Sequence, residues 1–257
     1  MIVKLAADIH GRFDELASGL SADDLFIGLG DYLNLVDYDD IEGILVDLLG
    51  HDVVASALEA LRRGDRESVK RTMQDVGGDR PQFYATVMQR VAESYVELIN
   101  SIPCRAYLLW GNVDVPHLLQ AAAEGNERIT VVDSLCIEIG SSTVGMLSGM
   151  PPGPFSFGLP GERPPHDYAE LLYGLGEVDV LLVHPPPADA ELTVDIHAQR
   201  DEEGCAAVSA FIERFKPREC YFGHVHQPQS HEKKIHDTNC VNLGYFRKHR
   251  TLRRIEL

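Results

Sequence analysis

Near its end the chain carries Tyr221-Phe222-Gly223-His224-Val225-His226-Gln227-Pro228, which puts two imidazoles at i and i+2 directly after the run Glu219 to Phe222. The run reads as a buried strand that stops at a glycine. Side chains two apart in an extended segment point the same way. Two imidazoles on one side of a strand end are a natural ligand pair for borderline metals. Alone, His-x-His fits an exposed turn with two solvated histidines equally well. What separates the readings is whether other strand ends carry ligand-type side chains.

They do. Ile2 to Ala7 ends in Asp8-Ile9-His10-Gly11, and Asp24 to Leu29 ends in Gly30-Asp31-Tyr32. Ala106 to Trp110 runs into Gly111-Asn112-Val113-Asp114, and Asp179 to Val183 ends at His184, before Pro185-Pro186-Pro187. Each piece has a plain structural reading, since Gly-Asp is a common turn and a histidine capping a strand is often a satisfied core residue. Together the strand ends collect Asp8, His10, Asp31, Asn112, His184, His224 and His226. In open α/β sheets the site lies outside the carboxyl ends of the strands. Two carboxylates, an amide and four imidazoles suit Mn²⁺, Fe or Zn²⁺, and are too rich in nitrogen for a pure Mg²⁺ or Ca²⁺ cage. Seven ligands exceed what one tetrahedral ion takes, so two metals are the economical reading.

The elements that must position these groups follow from periodicity. A helix is expected through Phe13, Leu16 and Leu20. From Leu33 to Ser101 no strand is evident. Apolar residues recur there at helical spacing: Ile41, Ile44, Leu45, Leu48 and Leu49, then Val53, Val54, Ala57, Leu58 and Leu61, then Val87, Val91, Tyr95, Leu98 and Ile99. Gly77-Gly78-Asp79-Arg80-Pro81 marks a loop between helices. The segment 33–101 is read as a helical insertion: a cap over the site, an association surface, or helices packed on one face. Pro116 opens a further helix. Three β stretches follow, Ile129 to Val132, Leu135 to Ile139 and Thr143 to Leu147, with a hairpin turn at Gly140-Ser141-Ser142. Gly149 to Pro165 is a long irregular loop whose Phe155 and Phe157 either line a pocket or pack on the core. A helix from about Glu202 to Phe215 and strands at Asn239 to Leu243 and Thr251 to Ile255 complete the reading, with no internal repeat.

At 257 residues, 44% of them hydrophobic and 25% charged, the chain is within the range of one α/β domain with a large core. A net charge of −17 argues against passive binding to nucleic-acid backbones or anionic membranes. It leaves room for a phosphate substrate where bound cations reverse the local field. Cys104, Cys136, Cys205, Cys220 and Cys240 form no Cys-x-x-Cys and read as buried thiols of a reducing, cytoplasmic compartment. No signal peptide is visible at the N-terminus, and no apolar run approaches the roughly 20 residues that span a bilayer.

The ordered set Asp8-x-His10-Gly11, Gly30-Asp31, Gly111-Asn112-x-Asp114, His184 and Gly223-His224-x-His226 resembles the motifs of the calcineurin-like metallophosphoesterases, end to end except for the helical insertion. The resemblance implies a four-layer αββα sandwich with a two-metal site at one edge. It implies that Asp8, His10 and His226 hold one metal, that Asn112, His184 and His224 hold the other, and that Asp31 bridges both. Mn is the favoured metal, with Fe, Zn and Ni as alternatives. Asn112, Asp31 and His10 are expected to carry the catalysis. Two cations about 3.5–4 Å apart polarise a phosphoryl oxygen and generate a hydroxide that attacks phosphorus in line, and they absorb charge on the equatorial oxygens.

One position departs from the pattern. The family commonly has a histidine after the motif asparagine, credited with protonating the leaving group or stabilising phosphate, and here Val113 stands there. Some phosphodiesterase-like branches also lack it, so the expected activity leans toward phosphodiesters. Arg12 and His117 are the substitutes within reach in sequence, and each also reads as a surface residue. A phosphomonoesterase or nucleotide pyrophosphatase with the same site, and a protein-binding scaffold of the same fold, are the alternatives. The expected partners are a small phosphoester substrate and a second copy of the chain through the insertion, with neither duplex nucleic acid nor membrane.

Overall fold

The computed structural model describes residues 1–63, 65, 67–69, 71, 80–153, 156, 158–202 and 204–257. Phe155, Phe157 and the Gly77-Gly78-Asp79 part of the expected loop lie outside them. The first half runs β1 (Ile2–Ala6), α1 (Phe13–Ser18), β2 (Leu25–Gly28), α2 (Ile44–Leu49), α3 (His51–Arg62), α4 (Arg80–Ser101), β3 (Arg105–Leu108) and α5 (Pro116–Ala123). Next come β4 (Ile129–Val131), β5 (Ser134–Ile139), β6 (Ser142–Leu147), α6 (Pro165–Gly174), β7 (Val180–Val183), α7 (Ala190–Thr193), β8 (Val194–Asp195) and β9 (Arg200–Asp201). The chain finishes with α8 (Ala206–Phe215), β10 (Glu219–Phe222), β11 (Glu232–Ile235), β12 (Thr238–Asn242), α9 (Phe246–His249) and β13 (Arg253–Glu256).

Two sheets carry the architecture. One has the order β13-β1-β2-β3-β4 and the other β11-β12-β10-β7-β6-β5. The central pairs β1–β2, β2–β3, β6–β7, β7–β10 and β10–β12 are parallel, so their carboxyl ends share one edge of their sheet. Such strands are covered on both faces, which is why they read as apolar runs. Alternation then assigns side chains to layers. Val3, Leu5, Leu25, Ile27 and Leu29 meet Val144, Met146, Val180, Leu182 and Tyr221 between the sheets. On the other face of the first sheet, Phe26, Ala106 and Leu108 pack under Phe13, Leu16, Val91, Tyr95 and Leu119. On the outer face of the second sheet, Leu181, Val183, Cys220 and Phe222 pack under Tyr168, Leu172, Val208 and Phe211. The result is helices, sheet, sheet, helices: the four-layer αββα sandwich.

Within 33–101, α4 buries Val87, Val91, Tyr95, Leu98 and Ile99 against the first sheet's core, while Ile44, Leu45 and Leu48 of α2 pack on it only partly buried. Two local expectations are corrected. The last long helix starts at Ala206, not Glu202, because Cys205 N–H bonds the Pro186 carbonyl at 2.7 Å and Glu202 N–H bonds that of Thr193 at 3.1 Å, which keeps the chain extended there. Cys136 is exposed while the other four thiols are buried. It sits at an outward position of edge strand β5, whose inward positions are Leu135, Ile137 and Ile139. Among the described residues no helix is long and apolar enough to cross a membrane.

Candidate metal centre

Every strand-end side chain singled out by sequence lies at one edge of the sandwich, in two adjoining groups. Asp8, His10 and His226 form one, and Asp31, His184 and His224 the other, with the ligand-type atoms of each group within 4.8 Å of one another. Asn112 joins the second: its Oδ1 lies 3.1 Å from His184 Nε2 and 3.0 Å from His224 Nδ1. The first sheet supplies Asp8, His10, Asp31 and Asn112, and the second supplies His184, His224 and His226.

Backbone conformation aims these groups. Asp8, His10, Asp31 and His224 have φ of +56°, +41°, +56° and +70°. Non-glycine residues rarely enter this left-handed region, and such strain collects at functional sites. Hydrogen bonds hold it. Asp8 N–H donates to Gly30 O at 3.1 Å, His10 N–H to Asp31 O at 3.0 Å and Gly11 N–H to Tyr32 O at 2.8 Å. Across the seam, His224 N–H donates to the Asp8 carboxylate at 3.0 Å. Two glycines are required by close approach: a side chain at Gly111 would collide with Asp31 Oδ1 and His184, and one at Gly223 with Ala7 and Asp8 Oδ2.

Asp114, next to the strand end of β3, serves the scaffold. Its carboxylate accepts the backbone N–H groups of Asp31 (2.8 Å), Tyr32 (3.1 Å) and Gly111 (2.9 Å) and the Tyr95 hydroxyl (3.1 Å). Burial first, then the Asp31 charge, pushes it up to about 6.

The donor chemistry fits cations. His10 Nδ1 faces the Leu33 carbonyl at 2.7 Å and His184 Nδ1 faces that of Leu29 at 2.8 Å. Each carbonyl accepts the Nδ1 proton, so that in the neutral ring the Nε2 lone pair is aimed inward, the arrangement of metal-binding histidines. Those lone pairs meet other acceptors. His10 Nε2 is 3.3 Å from His226 Nε2. His184 Nε2 is 3.3 Å from Asp31 Oδ2 as well as near Asn112 Oδ1. Acceptors converging on acceptors in a buried site call for positive charge between them.

The ionisation of the protein alone says the same. Burial pushes the Asp8 carboxyl up to about 8, although His184 pulls against it. Burial also opposes ionisation of Asp31, but the charge and hydrogen bond of His184 outweigh it and hold Asp31 below the usual carboxylate range. His184 is correspondingly raised to about 9, its own burial being overcome by Asp31 and Asp8. Burial, then the His184 charge, drops His224 to about 3. His10 is lowered mainly by burial, and His226 by burial and then His10. In the protein alone, a charged His184 thus balances the ionised Asp31.

Sequence reasoning missed two neighbours. Tyr245 stacks on His226, centroids 3.9 Å apart and planes within 6°, and donates its hydroxyl to Asp37 at 2.8 Å. It follows β12 as Asp8 follows β1, so the strand-end rule could have found it. Glu202 brings Oε2 to 3.8 Å from His224 Nε2, and no local signal marks it. Of the two expected substitutes at Val113, Arg12 turns to Glu42 (3.8 Å) and Glu15 (4.0 Å). His117 is exposed on α5. Val113 itself gives its N–H to Asp31 Oδ1 at 3.1 Å.

No protein-family model and no curated relative matches the chain. Solved structures do. One superimposes with a TM-score of 0.60 at 14% identity, covering 99% of this chain and 98% of its own. The protein TT1561 of Thermus thermophilus does so with a TM-score of 0.51 at 13% identity, over 99% and 98%. An archaeal phosphodiesterase aligns over the whole of both chains at 11% identity and a TM-score of 0.40. The first two likenesses establish a fold shared from end to end. At one edge of that shared four-layer αββα sandwich, Asp8, His10, Asp31, Asn112, His184, His224 and His226 gather in chain order from the ends of successive strands.

Proposed function

We propose that this protein is a metal-dependent phosphoesterase with a dinuclear site, acting most readily on phosphodiesters. The observation that carries the reading is the pair of adjoining groups, each with a carboxylate and two histidines. In this reading Asp8, His10 and His226 hold one ion, and Asn112, His184 and His224 the other. Asp31, charge-coupled to both His184 and His10, is shared. The nitrogen-rich donor set favours Mn, Fe, Zn or Ni. When bound, such ions supply Lewis acidity and a nucleophile at neutral pH.

The chain's own groups set the rest. The Leu33 and Leu29 carbonyls fix the ring orientation of His10 and His184. Asn112 adds a neutral ligand, so the loaded site stays positive toward an anionic ester. Val113 cannot hand a proton to a departing alkoxide, a service worth roughly 10²–10⁴ in rate from a positioned acid. Esters whose leaving groups are stable as anions need that help least, and aryl diesters are the plainest case.

The test is a panel of phosphomono- and diesters on chelator-stripped protein, with Mn²⁺, Fe²⁺, Zn²⁺ and Ni²⁺ added back singly. Hydrolysis should vanish on stripping and return with Mn²⁺ or a similar ion, and Asp31→Ala should be among the most damaging substitutions. Full activity in the stripped protein would remove the dinuclear reading.

A further inference from the structure

The hairpin β8–β9 is fastened to the ligand loop that follows β10. Ile196 N–H donates to Gln227 O at 2.9 Å and Gln229 N–H to Val194 O at 3.0 Å. Asp195 accepts Gln227 N–H at 3.1 Å with one oxygen, and the N–H groups of His197 (2.9 Å) and Ala198 (2.8 Å) with the other. Arg200 is the cross-strand partner of Asp195, so its backbone is set beside the residue that follows His226. Its Nε lies 2.5 Å from Glu202 Oε1, whose other oxygen approaches His224. The Glu202 carboxylate thereby links the Arg200 guanidinium to His224. The Arg200 side chain is 37% exposed against 8% for Glu202, so part of it reaches solvent. Arg247, also near the site, is buried and engaged by Asp37, Glu42 and the His10 carbonyl.

Resting on the phosphoesterase reading, we propose that Arg200 is a catalytic residue that binds the non-bridging phosphoryl oxygens of the substrate, supplying the charge that a histidine at Val113 would have supplied. A guanidinium suits the role because its planar fork matches two phosphoryl oxygens. Donors aimed at developing charge in a water-poor site are worth most there. Glu202 keeps the fork in place and balances its charge until an ester arrives. Arg200 donates no proton, so the preference for good leaving groups is unchanged.

The experiment compares wild type, Arg200→Ala and Arg200→Lys, all loaded with Mn²⁺. It measures metal content, the affinity for inorganic phosphate by calorimetry, and kcat/KM on an aryl diester. Metal content should be equal in all three. Arg200→Ala should bind phosphate at least about tenfold more weakly and lose about 10²-fold in kcat/KM, with Arg200→Lys between. Unchanged phosphate affinity in Arg200→Ala overturns the assignment. So does loss of metal from that variant, because Arg200 would then act through Glu202 and His224. If wild type hydrolyses no ester yet binds phosphate through Arg200, Arg200 stands as a phosphate-binding residue, and its catalytic role falls with the enzyme reading. If wild type does neither, both fall.

Discussion

The Tyr95 hydroxyl stands between Asp114 and the backbone of Val115, donating to Asp114 Oδ1 at 3.1 Å and accepting the Val115 N–H at 2.7 Å. Through that one atom α4 is tied to the carboxylate beneath Asp31 and Gly111. Tyr95→Phe keeps the ring and orphans the buried Val115 N–H. A buried donor left unpaired costs about 1–3 kcal/mol. Urea unfolding of metal-free protein should show that loss. A change below about 0.5 kcal/mol would mean the loop finds another partner.

Asp114 also decides what Val113→His can do. An imidazole at 113 gains an acid's function only if something orients it, and Asp114 is the residue placed by sequence to do so. Its two oxygens are already taken by three backbone N–H groups and the Tyr95 hydroxyl. Val113→His alone should therefore raise alkyl monoesterase activity by less than about tenfold, short of the roughly 10²–10⁴ of a positioned acid. Steady-state rates on an alkyl monoester and an aryl diester, each against wild type, check this.

Tyr245 supports His226 with its ring and Asp37 with its hydroxyl, and the two services can be separated. Tyr245→Leu removes the stack and should weaken Mn²⁺ binding by about tenfold or more, as loss of a ligand's supporting partner does. Tyr245→Phe keeps the stack and should leave Mn²⁺ affinity within about threefold while lowering stability by roughly 1 kcal/mol. Competition with a chromogenic chelator measures the first and thermal unfolding the second.

The metal-free protein should lose stability as pH rises from about 6.5 to 9. Asp8, at about 8 when folded, and His184, at about 9, both hold protons that the unfolded chain has released. A raised folded-state pKa gives stability that is complete below the unfolded value and lost as pH climbs through the folded one. Each such proton changes stability by about 1.4 kcal/mol per pH unit. Urea midpoints at pH 6.5, 7.5 and 8.5 in chelator should fall in that order. Mn²⁺ should flatten the trend, because its charge replaces the protons.

Strands β1, β2, β3, β7 and β10 were legible because each is covered on two faces and reads as a short apolar run, and the candidate ligands because each follows such a run at the same end. What escaped was set by tertiary docking. β8, β9 and β11 are short and polar at most positions, and β8–β9 owes its shape to Asp195 and Gln227 rather than to any period. Glu202 was assigned to a helix because nothing in its neighbours shows that Thr193 and Pro186 hold that segment extended. Asp114 could be placed near the site by its motif, but which groups consume its oxygens depends on Tyr95, 19 residues earlier.

The division of the candidate ligands between the sheets gives the proposed centre a mechanical meaning. His10 and His226 are 216 residues apart in sequence, and Asn112 and His184 are 72 apart. An ion held by either group is a clasp across the seam of the sandwich, closing a loop whose entropy the open chain would otherwise keep. Loading should therefore slow amide exchange together at the ends of β1, β2, β7 and β10, on both halves of the molecule at once. The far ends of the same strands, joined only by packing, should be where the emptied protein first begins to part.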